Sequence, residues 1–201
     1  MNETSESVPT PLAVDRMVQA AVDQLYSCRV TTVDVDEIAH LAGIDVEIAR
    51  RIFPDNDALD EAIGTYGVLR LSDALNRALV AAPTDDNRSA LIALALAYIR
   101  WARDNRELYY VLTTIILQPK HTNSIVHKYD AGFVPLVRRF LGEDDQDASC
   151  RAGIARAFLY GMTDLTMSTH LRLWMRPGHS AEAEIEAMVV TFIDMLMKTR
   201  D

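Results

Sequence analysis

The sequence predicts an all-α fold, with a three-helix unit at the N-terminus followed by a larger helical domain. Apolar residues recur three and four positions apart along most of the 201-residue chain, which is the spacing of one face of an α-helix. Capping residues, glycines and prolines separate these segments, whereas the alternating pattern and turn pairs of β-hairpins do not occur in the sequence. Nearly half of the residues are apolar and a quarter are charged, as in soluble globular proteins.

The first two helices have clear sequence signals. Six apolar residues form one stripe on a helix over about residues 12–27: Val14, Met17, Val18, Ala21, Val22 and Leu25. The second helix begins after Asp34, whose carboxylate suits the N-cap position, and Glu37 three residues later completes a capping box. Gly43 ends this helix, because glycine adopts the left-handed backbone of a helix C-terminus without strain.

A short third helix is predicted over about residues 46–52. Asp45 precedes it as an N-cap, and Pro54 ends it. Two short helices joined by a glycine-containing turn, after a longer helix, make a helix-turn-helix unit. We therefore expect a domain of the helix-turn-helix type over residues 1–55 and a larger helical domain over residues 56–201.

The larger domain is predicted to contain six helices. Loops that contain proline or several acidic residues, such as "APTDDN", "GEDDQD" and "RPGHS", separate them. The helices cover about residues 56–81, 87–103, 105–117, 126–140, 148–174 and 181–198. Their short connections and helical periodicity indicate a bundle of packed helices.

Negative charge is concentrated in the N-terminal third of the chain. Residues 1–66 contain thirteen acidic side chains and four basic ones, whereas residues 67–201 contain sixteen of each. Non-specific DNA affinity comes largely from Lys and Arg side chains that neutralise phosphates, so this third lacks the charge of an ordinary DNA-binding surface. Helix capping and the helix dipole account for Asp34, Asp45 and Glu47, but they do not account for the shortage of lysines.

Several other classes of site receive no support from the sequence. The nucleophile elbow, the glycine-rich phosphate loop and the His-Glu-x-x-His zinc motif are missing, so we expect neither catalysis nor a cofactor. His121 and His127 lack the spacing of a metal pair, so no metal site is expected. Cys28 and Cys150 lie far apart and no apolar run near the middle would cross a bilayer, which favours a cytoplasmic protein with reduced thiols and no membrane contact.

Three stretches resemble the TetR family of transcriptional regulators. The stretch "TTVDVDEIAHLAGIDVEIARRIFPDNDALDEAI" is similar to the DNA-binding region of the family, and the matched positions are Ile38-Ala39, Ala42-Gly43-Ile44, Phe53-Pro54, Leu59 and Ala62. The stretch "AYIRWARDNRELYYVL" is similar to a helix pair of the ligand domain, and "FLYGMTDL" is similar to the dimerisation helix. The resemblance implies an all-α homodimer whose N-terminal domains bind a double-stranded DNA operator and whose larger domains enclose a small-molecule pocket.

The resemblance also implies which residues would meet DNA. These are Asp34, Asp45, Val46, Glu47, Ile48, Arg50, Arg51 and Asn56. Val46 and Asn56 stand where the family usually has lysine. Arg50 and Arg51 would supply most of the remaining electrostatic attraction, and Glu47 could accept a hydrogen bond from a cytosine in the major groove.

Two further sets of residues follow from the resemblance. Ten large side chains lie on helices that would enclose a small apolar or aromatic ligand: Tyr98, Trp101, Tyr109, Leu112, Ile116, Phe133, Val137, Phe158, Met162 and Leu165. Taken singly, each is more often plain core, because a helical bundle of this size needs many large apolar residues. A broad apolar surface near the C-terminus predicts a two-fold four-helix dimer interface with Gly161, Ile185, Met188, Val189, Phe192 and Leu196. The alternative is a terminal helix that packs fully within one chain.

Two functional hypotheses are open at this point. The first is a ligand-responsive TetR-like regulator, expected to be a repressor, that binds DNA as a homodimer through the third helix and leaves it when an apolar ligand binds. The second is a dimer of the same fold that binds a ligand or a protein and has lost or weakened DNA binding, because its DNA-facing surface is acidic. Charge alone favours the second hypothesis, and the resemblance favours the first.

Overall fold

The computed structural model describes residues 11–83, 86–117, 124–141 and 146–198. Within these ranges the chain forms ten α-helices and one 3-10 helix and no β-strand, so the predicted all-α class is confirmed. The N-terminal helices are α1 (Pro11–Cys28), α2 (Val35–Ala42), α3 (Val46–Ile52) and α4 (Asn56–Ala81). The later helices are α5 (Asn87–Asp104), α6 (Arg106–Leu117), α7 (Ile125–Ala131), α8 (Phe133–Leu141), α9 (Gln146–Met167), the 3-10 helix (Thr169–Leu173) and α10 (Ala181–Met197).

Both ends of α2 have the capping groups that the sequence predicts. The Asp34 carboxylate accepts hydrogen bonds from the backbone N–H groups of Asp36 (2.9 Å) and Glu37 (3.3 Å). At the other end, Gly43 has a φ of 63°. The Glu37 carboxylate, which was expected to complete a capping box, accepts a hydrogen bond from the Gln24 amide of α1 (3.0 Å). Glu37 therefore ties α2 to α1.

Two helices of the larger domain are shorter than predicted. The helix expected over about residues 126–140 is divided into α7 and α8 at Gly132. Pro135 explains the division, since proline has no N–H to donate to the carbonyl four residues earlier and its ring would clash with that carbonyl. The helix expected to reach about residue 174 ends at Met167, where the 3-10 helix takes over.

The chain divides into two compact units. The first contains the described residues up to Val68 together with those of Glu107–His127. The second contains the described residues of Leu69–Arg106 and those from Lys128 onwards. The helix α4 therefore begins in the first unit and ends in the second. The domain boundary expected at residues 55/56 differs from this division and stays a prediction.

The first unit is built around apolar side chains from α1, α2 and α4. The largest of these that are fully buried are Met17, Leu25, Ile38, Leu59 and Ile63. Burial of each stabilises the fold by about 1.5–3 kcal/mol. A Cβ atom at Gly64 of α4 would lie 2.5 Å from Ile115 Cδ1 and 3.0 Å from Val126 Cγ2. Glycine at this position therefore lets α6 and α7 approach the first half of α4 closely.

The second unit contains the larger apolar core. Its buried side chains form one cluster: Leu91, Ala95, Leu96, Ile99, Val137, Ala152, Ala155, Met162, Leu171, Ile185, Val189, Ile193 and Leu196. At the edge of this core, the Nε and Nη2 atoms of Arg88 donate to the carboxylate of Asp194, at 2.5 and 3.0 Å. A second pair joins Arg103 Nη1 to Glu182 Oε1 at 2.9 Å. These pairs fix the register of α5 against α10, while the apolar contacts provide most of the stabilisation.

None of the described helices combines the length and the apolar content that a membrane span needs. The thiols of Cys28 and Cys150 are free and exposed. They belong to α1 and α9, which lie in different units, and no disulfide joins these two cysteines.

Gly43 provides a test of the turn between α2 and α3. The left-handed backbone costs alanine about 1–2 kcal/mol, so Gly43→Ala should lower the free energy of unfolding by that amount in urea titrations. Gly153→Ala is the matched control, because a Cβ atom at this exposed position of α9 would meet nothing within 4 Å. The control should raise the free energy of unfolding by about 0.5–1 kcal/mol. Equal stability of Gly43→Ala and the wild type would contradict this account of the turn.

Candidate functional site

The helix-turn-helix unit places α3 at the surface of the first unit. The Asp45 carboxylate begins this helix by accepting hydrogen bonds from the backbone N–H groups of Glu47 (2.9 Å) and Ile48 (3.3 Å). Ala49 is fully buried, which directs one side of the seven-residue helix inward. The opposite side, which carries Glu47 and Arg51, is exposed, and Arg50 is exposed as well.

Most of the residues expected to meet DNA lie on exposed surface around α3. Asp34, Asp45, Glu47, Arg50, Arg51 and Asn56 are exposed, and Val46 and Ile48 are half-buried. We call the surface formed by the six exposed residues together with Asp36 the α3 surface. The structure gathers onto it residues from the start of α2, from α3 and from the start of α4. Their contact with DNA stays a prediction.

Arg50 is held by a carboxylate of the α3 surface. Its Nε and Nη2 atoms donate to Oδ1 and Oδ2 of Asp36, at 2.8 and 2.6 Å. This hydrogen bonding lowers the pKa of Asp36 below its ordinary value and raises the pKa of Arg50. A guanidinium uses the same two-point geometry to hold a phosphate. Asp36 therefore occupies atoms with which Arg50 would contact a DNA backbone.

Asn56 links the start of α4 to the start of α2. Its Nδ2 atom donates to Oδ2 of Asp34 (3.3 Å), and its Oδ1 atom accepts from the backbone N–H of Val35 (3.0 Å). The Asp34 carboxylate that caps α2 thus also holds Asn56. Sequence reasoning placed these two residues near DNA but missed this structural link, because no local pattern pairs positions 22 residues apart.

A cleft of about 390 Å³ opens on the α3 surface. Its lining consists of Asp34, Val35, Asp36, Arg50, Pro54, Asp55, Asn56 and Asp57. Four carboxylates against one guanidinium make this lining acidic, so it repels phosphate at separations up to about the 8 Å Debye length. Across the described part of the chain, His, Cys, Asp and Glu side chains form no group of three or more that could hold a metal ion.

The residues expected to enclose a ligand are divided between the two units. Tyr109 and Leu112 are buried side chains of the first unit. Six others belong to the apolar cluster of the second unit or pack against it: Tyr98, Phe133, Val137, Phe158, Met162 and Leu165. Trp101 is buried and belongs to the second unit, whereas the side chain of Ile116 lies outside the described part of the structure. Their assignment to a ligand pocket stays a prediction.

An apolar groove of about 560 Å³ runs along α9 and α10, and we call it the α9–α10 groove. It is lined by Phe158, Gly161, Met162, Leu165, Trp174, Arg176, Glu184, Ala187, Met188, Thr191, Phe192 and Met195. The rings of Phe158 and Phe192 stack with their centroids 3.8 Å apart. Trp174 and Met195 are nevertheless 64% and 60% exposed. Large apolar side chains that stay exposed along one groove are typical of a surface that another molecule covers.

The α9–α10 groove combines residues from two predicted sets. Gly161, Met188 and Phe192, expected at a dimer interface, line it together with Phe158, Met162 and Leu165, expected at a ligand pocket. Ile185, Val189 and Leu196, also expected at the interface, are buried in the core of their own chain. That side of α10 faces inward, so the surface left for a partner comes from the other side of the helix.

A charged cluster lies at the edge of the α9–α10 groove. The buried carboxylate of Glu184 accepts hydrogen bonds from Arg176, through its Nε (2.7 Å) and its backbone N–H (3.1 Å). His179 Nδ1 lies 3.3 Å from the same oxygen. The hydrogen bond from the Arg176 side chain lowers the pKa of Glu184 below its ordinary value. The cluster therefore anchors the loop before α10 to the first turn of that helix.

These features define an all-α protein with an exposed N-terminal helix-turn-helix and a helical domain that carries an apolar groove. Residues 91–191 match the family model described as the C-terminal domain of tetracyclin repressor-like proteins. The match covers half of the chain, and the chain belongs to the TetR family of transcriptional regulators. A comparison with curated protein sequences found no match.

Several solved structures share this fold. A protein of unknown function from Rhodococcus sp. RHA1 is 25% identical, with a TM-score of 0.78 over 98% of this chain and 100% of that chain. A regulatory protein of the TetR family from Rhodococcus RHA1 is 19% identical, with a TM-score of 0.64 over 96% and 100% of the two chains. A putative fatty acid metabolism regulator from Clostridium perfringens is 14% identical, with a TM-score of 0.60 over 89% and 97%.

From the lowered pKa of Glu184 we predict that its contribution to the free energy of unfolding depends on pH. Because its pKa is lowered in the folded protein, its stabilising effect is complete above the pKa of an unfolded glutamate, about 4.3, and is lost as the pH falls through the folded value. The difference in free energy of unfolding between the wild type and Glu184→Gln should therefore shrink as the pH falls below about 5. Urea titrations at a series of pH values measure it.

Glu186→Gln, which removes an exposed carboxylate from the same helix, controls for the loss of one negative charge. A difference between the wild type and Glu184→Gln that stays unchanged down to pH 3 would show that the Arg176–Glu184 contact does not stabilise the fold.

Proposed function

We propose that this TetR-family protein is a ligand-responsive repressor that binds operator DNA as a homodimer through α3. The observation that carries the proposal is the exposed α3, held by the Asp45 cap and the buried Ala49, within a complete helix-turn-helix. A helix presented in this way has the geometry to enter a major groove. Binding of a small apolar ligand to the second unit would shift the protein to a state with lower DNA affinity.

The α3 surface makes weak DNA binding the expected outcome. Phosphate contacts come from Lys and Arg, and this surface offers Arg50 and Arg51. Arg50 is already paired with Asp36, while Arg51 donates to a neutral acceptor, the backbone oxygen of Glu47, at 3.4 Å. A DNA phosphate would therefore compete with the Asp36 carboxylate for Arg50.

The pairing of Arg50 with Asp36 also favours the second candidate function. A dimer of this fold that binds a ligand or a protein, and no longer binds DNA, would have no need for a free cation on α3. In that case the acidic α3 surface serves solubility or a basic protein partner rather than an operator. DNA binding by the wild-type protein separates the two candidates.

Substitutions of Asp36 and Arg50 are expected to change the DNA affinity in opposite directions. Asp36→Asn removes the competing charge and should tighten binding to the DNA upstream of the protein's own gene about three- to tenfold at low salt. Arg50→Ala should weaken it by a similar factor. Fluorescence anisotropy over a salt series measures both affinities, and Asp36→Asn should steepen the slope of log K against log salt by about one phosphate contact.

Asp73→Asn is the matched control for this series. It removes one carboxylate from another exposed arginine pair, Asp73 with Arg77 on α4, and should leave the affinity and the slope unchanged. If Asp73→Asn tightened DNA binding to the same extent as Asp36→Asn, the effect of Asp36→Asn would come from net charge alone. If a folded wild-type dimer shows no saturable binding to DNA even at low salt, the proposed repressor function is refuted. The second candidate function is then supported.

For both candidate functions we assign the interface of the homodimer to the α9–α10 groove. Its lining is mostly apolar, and Trp174 and Met195 leave large apolar areas exposed beside the stacked rings of Phe158 and Phe192. A Cβ atom at Gly161 would meet nothing within 4 Å in its own chain, so the space beside this glycine is open to a second helix. A second copy of the same surface would form a two-fold four-helix interface.

Met195 provides the test of this interface. Met195→Glu places a charge in an apolar interface and should shift the protein from dimer to monomer, with a dissociation constant raised at least about tenfold, in analytical ultracentrifugation. Val80→Glu is the matched control, because Val80 is 85% exposed on α4 and lies outside the groove. The dimer should survive this control. A dimer that tolerates Met195→Glu equally well would place the interface elsewhere.

A further inference from the structure

The segment "RPGH", residues 176–179, forms a tight turn shortly before α10, and we call it the RPGH turn. The backbone N–H of His179 donates to the carbonyl of Arg176 at 3.2 Å and closes the turn. Pro177 fixes the φ angle of the first inner position, and Gly178, with a φ of 80°, has the left-handed backbone of the second. These features match a type II turn, which brings its first and last residues side by side.

Both ends of the RPGH turn contact one carboxylate, that of the buried Glu184 in the first turn of α10. Its Oε1 atom accepts hydrogen bonds from Arg176, through Nε at 2.7 Å and the backbone N–H at 3.1 Å. The Nδ1 atom of His179 lies 3.3 Å from the same oxygen. The two bonds from Arg176 do not depend on pH, because arginine keeps its charge. The contact from His179 depends on whether the imidazole is protonated.

Protonation of His179 strengthens its contact with Glu184. A neutral imidazole has one N–H, on either Nδ1 or Nε2, whereas an imidazolium has both. The charged ring therefore always offers an Nδ1–H to the carboxylate and adds the attraction between opposite charges. The hydrogen bond from Arg176 lowers the pKa of Glu184, so this carboxylate stays ionised from pH 8 to 5, where histidine side chains gain their charge. Acidification over this range thus adds a second cation to Glu184.

The neighbouring elements bring further charges near the RPGH turn. Glu182 of α10 is held by Arg103 of α5 at 2.9 Å, and Arg100 of the same helix also attracts it. The 3-10 helix carries two exposed basic side chains, His170 and Arg172. The residues that α9 contributes to the adjoining groove are uncharged: Phe158, Gly161, Met162 and Leu165. The turn's own histidine is therefore the group that couples the pH to the Glu184 carboxylate.

The RPGH turn also fixes one rim of the α9–α10 groove. Arg176 and Glu184 belong to the lining of the groove, and so does Trp174, which comes two residues before the turn and is 64% exposed. A firmly anchored turn holds this rim in one arrangement. A surface that is ordered before it binds loses less conformational entropy on association. His179 does not belong to the lining, so its added charge stays outside the groove.

We propose that Arg176, His179 and Glu184 form a pH-sensitive clasp that strengthens the homodimer when His179 is protonated. The inference rests on the homodimer interface of the proposed function and adds a regulatory signal, acidification, to it. In each copy, a protonated His179 fixes the RPGH turn against α10 and holds Trp174 at the rim of the groove. At higher pH the turn keeps the two bonds from Arg176 alone, and the dimer is weaker.

The first measurement is the dissociation constant of the full-length dimer at pH 7.5 and 5.5, by analytical ultracentrifugation at one ionic strength. Acidification also reduces the net negative charge of the chain, formally −9 at pH 7, and this acts on every variant alike. The reference is therefore His179→Gln, whose side chain stays neutral at both pH values. On acidification the Kd of the wild type should fall about three- to tenfold further than the Kd of this variant.

Two more variants show whether the response belongs to the clasp. Glu184→Gln removes the charge that His179 faces, so it should lose the additional acid response as His179→Gln does. His170→Gln is the matched control, because His170 is an exposed histidine of the preceding 3-10 helix and forms no ion pair with the described residues. Its Kd should respond to acid as that of the wild type does.

Hydrogen exchange, followed by NMR, tests the clasp within a single chain. The backbone N–H of Arg176 donates to Glu184, so its protection from exchange reports how often the RPGH turn opens. At pH 5.5 its protection factor should be about three- to tenfold higher in the wild type than in His179→Gln. At pH 7.5 the two proteins should agree.

Four results would overturn the proposal: no dimer at either pH, an equal acid response of the Kd in the wild type and His179→Gln, loss of the additional response in His170→Gln, or equal protection of the Arg176 N–H at pH 5.5. None of these measurements involves DNA. A protein that responds as described and fails to bind its upstream DNA would keep this inference and lose the repressor. A protein that binds DNA and whose dimer responds equally with and without His179 would do the reverse.

Discussion

The carboxylate of Asp34 is the constraint on which the N-terminal unit depends. It accepts the first free N–H groups of α2 and, through Asn56, holds the start of α4 beside them. With both neighbours of α3 fixed, the left-handed Gly43 and the Asp45 cap leave little freedom in the direction of α3 itself. Asp34, Gly43 and Asp45 together thereby determine how α3 is presented to solvent. A carboxylate suits this task because the N-termini of helices carry partial positive charge.

The structural roles of acidic residues explain much of the unusual charge of the N-terminal third. Asp34 and Asp45 cap helices, Glu37 accepts from α1, and Asp36 neutralises Arg50. Acidic side chains thus do structural work on a surface where the family fold would meet phosphates. At these positions an acidic side chain stabilises the fold but would repel DNA phosphates. Stability and DNA affinity therefore favour different residues there. Any affinity for DNA would therefore come from few cations, and its dependence on salt concentration would be shallow.

The helix α9 has two faces with different chemistry. One face lines an open apolar groove with α10, and the other carries a charge-neutral pair and a buried hydroxyl. In the proposed dimer the first face meets a second copy.

The sequence by itself determined the helices and their ends, because capping groups, glycine turns and apolar periodicity act between residues close in the chain. It located α2, α3 and the caps Asp34 and Asp45 correctly, and through a family resemblance it named residues expected to meet DNA, most of which lie on one exposed surface. It missed the break at Gly132, although Pro135 carried that signal. Only the tertiary structure decided that Asp36 holds Arg50 and that Ile185 and Val189 face their own core. These contacts join residues far apart in the chain or depend on which side of a helix is covered, and local patterns contain neither kind of information.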